Sequence, residues 1–178
     1  MLIDLLRARR SLRRFTDQPV EQEKLDLLLE AALRAPSSKG NNPWELIVVT
    51  DKARIKDLSV AKAHGATFLA GAPLVIVVCA DPAKSDVWVE DAAIATTLVH
   101  LQATDLGLGS CWVQLRLRRR EDGTDSQEYM RTLLGLPEGM MALAMVGIGY
   151  PTDLKKGHPG SSLCHHQVSY ERFGRRQP

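Results

Sequence analysis

The sequence predicts an α+β sandwich, with helices flanking a central mixed sheet of about four to five strands. Short apolar runs rich in β-branched residues are interspersed irregularly with a larger number of helical stretches, unlike the regular alternation of a doubly wound sheet. No internal repeat or low-complexity tract interrupts the pattern. The chain has 178 residues, 44% hydrophobic and 25% charged, enough for a single domain over residues 1–178 with a core of its own.

Residues 2–9 form a short helix with Leu2, Leu5 and Leu6 on one side, and it delivers a group of arginines at its end. From Glu21 to Leu33 the apolar positions Leu25, Leu28, Leu29, Ala32 and Leu33 recur at the helical period, and Pro36 stops the run. Trp44–Thr50 and Leu74–Ala80, each bounded by Pro or Asp, read as buried strands. Between them Asp51 caps a helix carrying Ile55 and Leu58. Val87–Leu106 is apolar or small on almost every face, so this helix is buried in a core or in a subunit interface. Ser110–Leu115 and Met140–Ile148 supply two more strands. A charged loop at 116–125 and a helix over Ser126–Leu134, ended by Gly135, join them. Beyond Pro151 the stretch holding Gly157, Pro159, Gly160, Ser161 and Ser162 reads as an extended tail.

Composition excludes several function classes. The net charge of +2 gives no general case for nucleic acid, and the few aromatic residues do not interleave with the basic ones as stacking platforms require. No apolar stretch approaches a membrane span, and the N-terminus lacks a cleavable leader pattern; a soluble, cytoplasmic protein is expected. Cys79, Cys111 and Cys164 are odd in number and widely spaced, which fits a reducing compartment without structural disulfides.

Arg9-Arg10-Ser11-Leu12-Arg13 concentrates three guanidinium groups and a hydroxyl within five residues. Such a cluster suits one small, strongly anionic group, because each guanidinium is a planar fork of donors matched to phosphate oxygens. The same chain carries Pro36-Ser37-Ser38, then Pro43-Trp44, then Gly107-Leu-Gly-Ser-Cys-Trp-Val-Gln114, then Gly147-Ile-Gly-Tyr-Pro151. In this order and spacing the motifs, from about Leu5 to Phe173, resemble the nitroreductase family of flavin enzymes.

That resemblance implies a homodimer with FMN at the subunit interface and a C-terminal arm, 152–178, wrapping the partner. Arg10 and Arg13 would neutralise the FMN phosphate, with Ser11 as a neutral donor and Arg9 as a further charge or ribityl contact. Lys155 or Lys156, with Lys156 preferred, stands where the family places a basic phosphate ligand. Pro36, Ser37 and Ser38 would meet the neighbouring subunit's flavin, and Asn42 occupies the place of a ring-binding glutamine. Backbone groups around Trp112 and Val113 would meet the ring, while Gln114 replaces a glutamate that some relatives carry near its redox-active edge.

No catalytic side chain is assigned, since a bound flavin carries the redox chemistry while protein groups bind and tune it. The implied activity is hydride transfer from NADH or NADPH, followed in a ping-pong cycle by reduction of a nitroaromatic, quinone or similar acceptor. A non-catalytic redox sensor or carrier, and a dehalogenating or flavin-consuming member of the same fold, remain alternatives. Cys111 lies inside an apolar strand without a neighbouring His, which disfavours a nucleophile. Cys164-His165-His166 has no second cluster to complete a zinc site, so no metal is expected. Gly107-Leu-Gly109 lacks the third glycine of a dinucleotide fingerprint. The loop with Arg116, Arg118, Arg119 and Arg120 is read as solvated surface, the 2′-phosphate of NADPH being its other reading.

Overall fold

The computed structural model describes residues 1–176. In chain order the elements are α1 (Leu2–Ala8), α2 (Gln22–Leu33), β1 (Trp44–Val49), α3 (Lys52–Leu58), β2 (Leu74–Ala80), α4 (Trp88–Asp105), β3 (Gly109–Gln114), α5 (Ser126–Leu134) and β4 (Met141–Gly149). Local chemistry sets several of these limits. The Asp51 carboxylate accepts from Arg54 N–H and caps α3, Asp125 caps α5 through Gln127 N–H, and Gly135 ends α5 in the left-handed conformation at φ 67°.

The four strands lie in the order β1-β2-β4-β3, and each neighbouring pair is antiparallel. Among the described residues the parallel component expected of a mixed sheet is confined to a single bridge, Ser11 to Ser110. Strand β2 lies inside the sheet and all seven of its residues are buried. Its unbroken apolar run follows from that position, because both faces are covered.

Side chains alternate between two cores. Leu74, Ile76 and Val78 of β2 join Leu143, Val146 and Ile148 of β4 against α2 and α4. Val75, Val77 and Cys79 face the opposite way, with Met145, toward Ile55 and Leu58 of α3 and Met130 of α5. Each fully buried aliphatic side chain contributes on the order of 1.5–3 kcal/mol relative to exposure, so the sheet is anchored from both sides. A register shift between Val78 and Cys79 leaves Leu143 as an extra residue on β4. Its carbonyl accepts from Leu115 and Arg116 N–H groups at 3.0 and 3.1 Å, and that contact fastens the end of β3.

Helix α4 buries Asp91, Ala92, Ala95, Thr96, Val99, His100 and Ala103, while Ile94 on its outer side is 40% exposed. After Pro151 the chain is largely exposed, with two short 3-10 turns at Gly160–Ser162 and His165–Gln167. Residues 177 and 178 of the expected arm lie outside the described residues. Among the described residues no helix is long and apolar enough to cross a membrane.

Candidate functional site

Helix α1 ends at Ala8, and the chain continues extended beside the sheet. Leu12 N–H donates to Ser110 O at 3.0 Å, Thr16 N–H to Tyr150 O at 2.8 Å and Thr152 N–H to Arg14 O at 3.2 Å. These backbone bonds pin Ser11–Thr16 between the start of β3 and the end of β4. Gly109 makes the close approach possible, since a Cβ there would stand 3.2 Å from Leu12 and Pro151 side-chain carbons.

This path gathers the basic residues singled out in the sequence. Arg10 Nη1 donates to Lys156 O at 2.5 Å, and Arg13 and Lys155 line one groove with Leu12, Arg14 and Asp153. Asp153 pairs with Arg14 at 3.2 Å. Among the described residues, Arg9, Arg10, Arg13, Lys155 and Lys156 form no ion pair with a carboxylate. Arg13 and Lys155 in that groove and Arg10 beside the Lys156 backbone, none with an acidic partner, offer the donor chemistry that suits a phosphate monoester.

Loop 36–42 is built on a buried acid. Asp91, 3% exposed, accepts from Ser38 N–H and from the Ser85 hydroxyl, both at 2.8 Å. Within the loop the Ser37 hydroxyl donates to Asn42 Oδ1 at 2.8 Å, and its oxygen accepts the Asn42 N–H at 2.9 Å. Lys39 and Asn42, neither a glycine, hold positive φ of 54° and 46°, a conformation that surrounding contacts must sustain. The side-chain carbonyl of Asn42 is thus engaged and its NH2 is the group left to offer. No hydrogen bond or ion pair among the described residues joins this loop to Arg9–Arg13.

Strand β3 lies at the sheet edge. Since Leu115 N–H bonds to β4 and Ser110 O points to Leu12, alternation turns the backbone groups of Trp112 and Gln114 toward the open edge and those of Val113 into the ladder. Of the two residues expected to offer backbone groups to a ring, Trp112 turns its own to the open edge and Val113 turns its own into the ladder. Trp112 Nε1 donates to Gln114 Oε1 at 3.0 Å. The Trp112 ring stacks on His100, 6.3 Å between centroids and 6° between planes. His100 Nδ1 lies 2.7 Å from Ser110 Oγ. Burial, with Arg9 as a lesser cause, lowers the His100 pKa to about 4, so the imidazole is neutral at pH 7.

His100 and Asp91 were not singled out in the sequence, although polar residues on a helix apolar all round signal internal partners. Burial raises the thiol of Cys111, and it pushes Cys79 up to about 12. Cys164 is exposed, and no group of three or more potential metal ligands occurs among the described residues. In the basic loop, Arg120 pairs with Asp122 at 2.7 Å and lies over the Tyr129 ring. Arg119 donates to Gly123 O, and Arg118 donates to Leu117 O.

A two-core α+β sandwich with basic residues beside an open edge strand defines a class of protein suited to an anionic ligand. Residues 6–66 and 59–150 match the model of the Nitroreductase family, and the chain belongs to that family. An FMN-dependent nitroreductase from Clostridium difficile R20291 has a similar structure, with a TM-score of 0.93 at 45% identity, covering 96% of this chain and 99% of that one. A relative from Archaeoglobus fulgidus, whose name pairs NADH dehydrogenase with NAD(P)H nitroreductase, is 37% identical over 157 residues, 86% of this chain and 87% of its own length. The FMN reductase [NAD(P)H] of Bacillus subtilis is 32% identical over 192 residues, covering 95% of this chain and 74% of the relative.

Proposed function

We propose that this protein is an FMN-dependent oxidoreductase that takes reducing equivalents from NADH or NADPH and passes them to a nitroaromatic, quinone or similar acceptor. One observation carries the reading: the unpaired cations of Arg9–Arg13 and Lys155–Lys156 are tied to the edge of β3 through Ser11 and Ser110. A phosphate anchor and an open, amide-bearing strand edge therefore adjoin in one chain. The FMN-dependent and FMN-reducing relatives support the same reading.

Arg10, Arg13 and Ser11 would hold the FMN phosphate, with Lys156 or Lys155 as a further cation and Arg9 toward the ribityl chain. Trp112 and Gln114 would present edge-facing backbone groups to the ring. When bound, FMN supplies the hydride-accepting and hydride-donating chemistry, so NAD(P)H and the acceptor take turns in one cleft. Gln114 cannot act as an acid, and its carbonyl is already engaged by Trp112. Proton supply then falls to water. The buried, protonated Cys111 thiol has no nucleophilic role.

The shared site is part of the proposal. Loop 36–42 makes no polar contact with the arginine segment of its own chain, which supports its reaching the flavin of a partner subunit. Exposed Leu2, Ile3 and Leu6 of α1 and Leu27 and Leu33 of α2 supply apolar surface for a homodimer, and residues 152–178 would form the arm that embraces the partner.

The test is the visible spectrum of the purified protein, recorded anaerobically before and after NADPH and then NADH. Bleaching of a bound flavin by either donor is the expected result. A bound flavin that stays oxidised would favour the sensor or carrier, for which the amide at Gln114 speaks. A protein that binds no FMN on reconstitution would end both readings.

A further inference from the structure

We propose that His100 is a positioning residue which sets the phosphate-binding turn against the ring-binding strand by holding Ser110. The inference rests on the FMN reading above and goes beyond it, since His100 belongs to neither proposed contact set.

His100 projects from the fourth turn of α4 and is 6% exposed. Its Nδ1 meets Ser110 Oγ at 2.7 Å. Ser110 is the residue whose carbonyl takes the Leu12 N–H and whose backbone bridges Ser11, so the imidazole grips the point where the arginine segment joins the sheet. The flat of the same ring supports Trp112, which in turn fixes Gln114. One side chain thus touches the roots of both halves of the site, and it touches them from a helix packed across the sheet rather than from a loop.

The ring is neutral at working pH because it is buried and because Arg9, at the end of α1, is the charged group that bears on it. From β3 it meets the uncharged Ser110 and Trp112. A neutral imidazole can either donate to or accept from the serine hydroxyl, whereas an imidazolium only donates. No buried side-chain polar atom of the described residues lacks a partner, so His100 and Ser110 satisfy each other.

Riboflavin, which has the ring and ribityl chain of FMN without the phosphate, separates positioning from general support. A residue that sets the distance between the two halves matters to a ligand spanning both and matters little to a ligand that engages one. His100→Phe keeps a flat ring for Trp112 and removes the bond to Ser110. His100→Asn, whose amide nitrogen or oxygen can take the place of Nδ1, keeps that bond and removes the flat ring. Affinities for FMN and riboflavin are measured by flavin fluorescence titration on apoprotein at pH 7, with circular dichroism confirming the fold.

The expected result is that His100→Phe weakens FMN about tenfold, the scale of one buried hydrogen bond, with less than a twofold change for riboflavin, and that His100→Asn recovers most of the FMN loss. Equal loss of both flavins, or unchanged FMN affinity in a folded His100→Phe protein, would overturn the proposal. Should His100→Phe fail to fold, Ser110→Ala decides the matter in the same way, by selective loss of FMN or its absence. Failure of the FMN reading itself looks different, for then the wild-type protein binds neither flavin.

Discussion

Asp91 reaches from the first turn of α4 to the Ser38 N–H at 2.8 Å, and through this bond a buried carboxylate holds the start of a loop whose next residues adopt left-handed backbone. Its other oxygen takes the Ser85 hydroxyl, so both donors depend on one side chain. Asp91→Ala is expected to cost about 3 kcal/mol of stability, the scale for stranding buried donors that had a charged partner. Urea unfolding measures it, and Asp91→Asn, which retains one acceptor, should lose less.

Asn42 spends its carbonyl on Ser37 and keeps its NH2 for the proposed FMN contact. Asn42→Asp keeps the acceptor for Ser37 while replacing the outward donor with a negative charge, so FMN affinity should fall at least about tenfold with little change in stability. Flavin fluorescence titration beside a thermal melt separates the two effects. Equal FMN affinity in the variant would remove Asn42 from the binding set.

Arg10 serves two masters, the proposed phosphate and the Lys156 carbonyl. Arg10→Ala should weaken FMN by about ten- to a hundredfold, in keeping with one charge-assisted bond, and leave the helical content unchanged. Ser38→Trp should block flavin from the other subunit. Mixing the two variants is expected to restore roughly one intact site per heterodimer, and the absence of restoration would argue for a site made by one chain.

Stability should also depend on acid. The folded pKa of His100 is about 4 against a usual 6.5, so between these values the unfolded chain binds the extra proton and stability rises with pH. The full contribution is present above about pH 6.5 and is lost progressively toward pH 4. Its ceiling is about 3 kcal/mol at 1.36 kcal/mol per unit. Urea midpoints at pH 4.5 and 7 should converge in His100→Asn relative to wild type, and an undiminished difference would assign the acid sensitivity elsewhere.

Gly157 lies so close to α1 that a Cβ would fall 1.7 Å from the Arg7 carbonyl oxygen. Since that atom is backbone, Gly157→Ala should lift the segment carrying Lys155 and Lys156 away from the arginines. Limited trypsin digestion is expected to cleave the variant faster after these lysines, with FMN affinity reduced alongside.

Much of this architecture is legible in the residues themselves. Ser126–Leu134 and Leu74–Ala80 could be delimited to the residue because Gly135, Pro73 and Asp81 punctuate them with local chemistry. Strand direction was less accessible, for nothing local tells that β2 will lie between β1 and β4 or that Ser11 will supply a parallel bridge. In the site, the arginines announce themselves by density, whereas His100 and Asp91 act through partners 10 and 53 residues away. The left-handed Lys39 carries no signal at all, since its conformation is imposed by Asp91 and by the Ser37–Asn42 interlock on either side.

The burial of two thiols has a practical corollary. With Cys79 and Cys111 enclosed and held protonated, a maleimide dye at neutral pH will find the exposed Cys164 and leave the interior untouched. The native protein therefore arrives with a single-label attachment point, placed where its colour can report on the exposed stretch after Pro151 without any engineered cysteine.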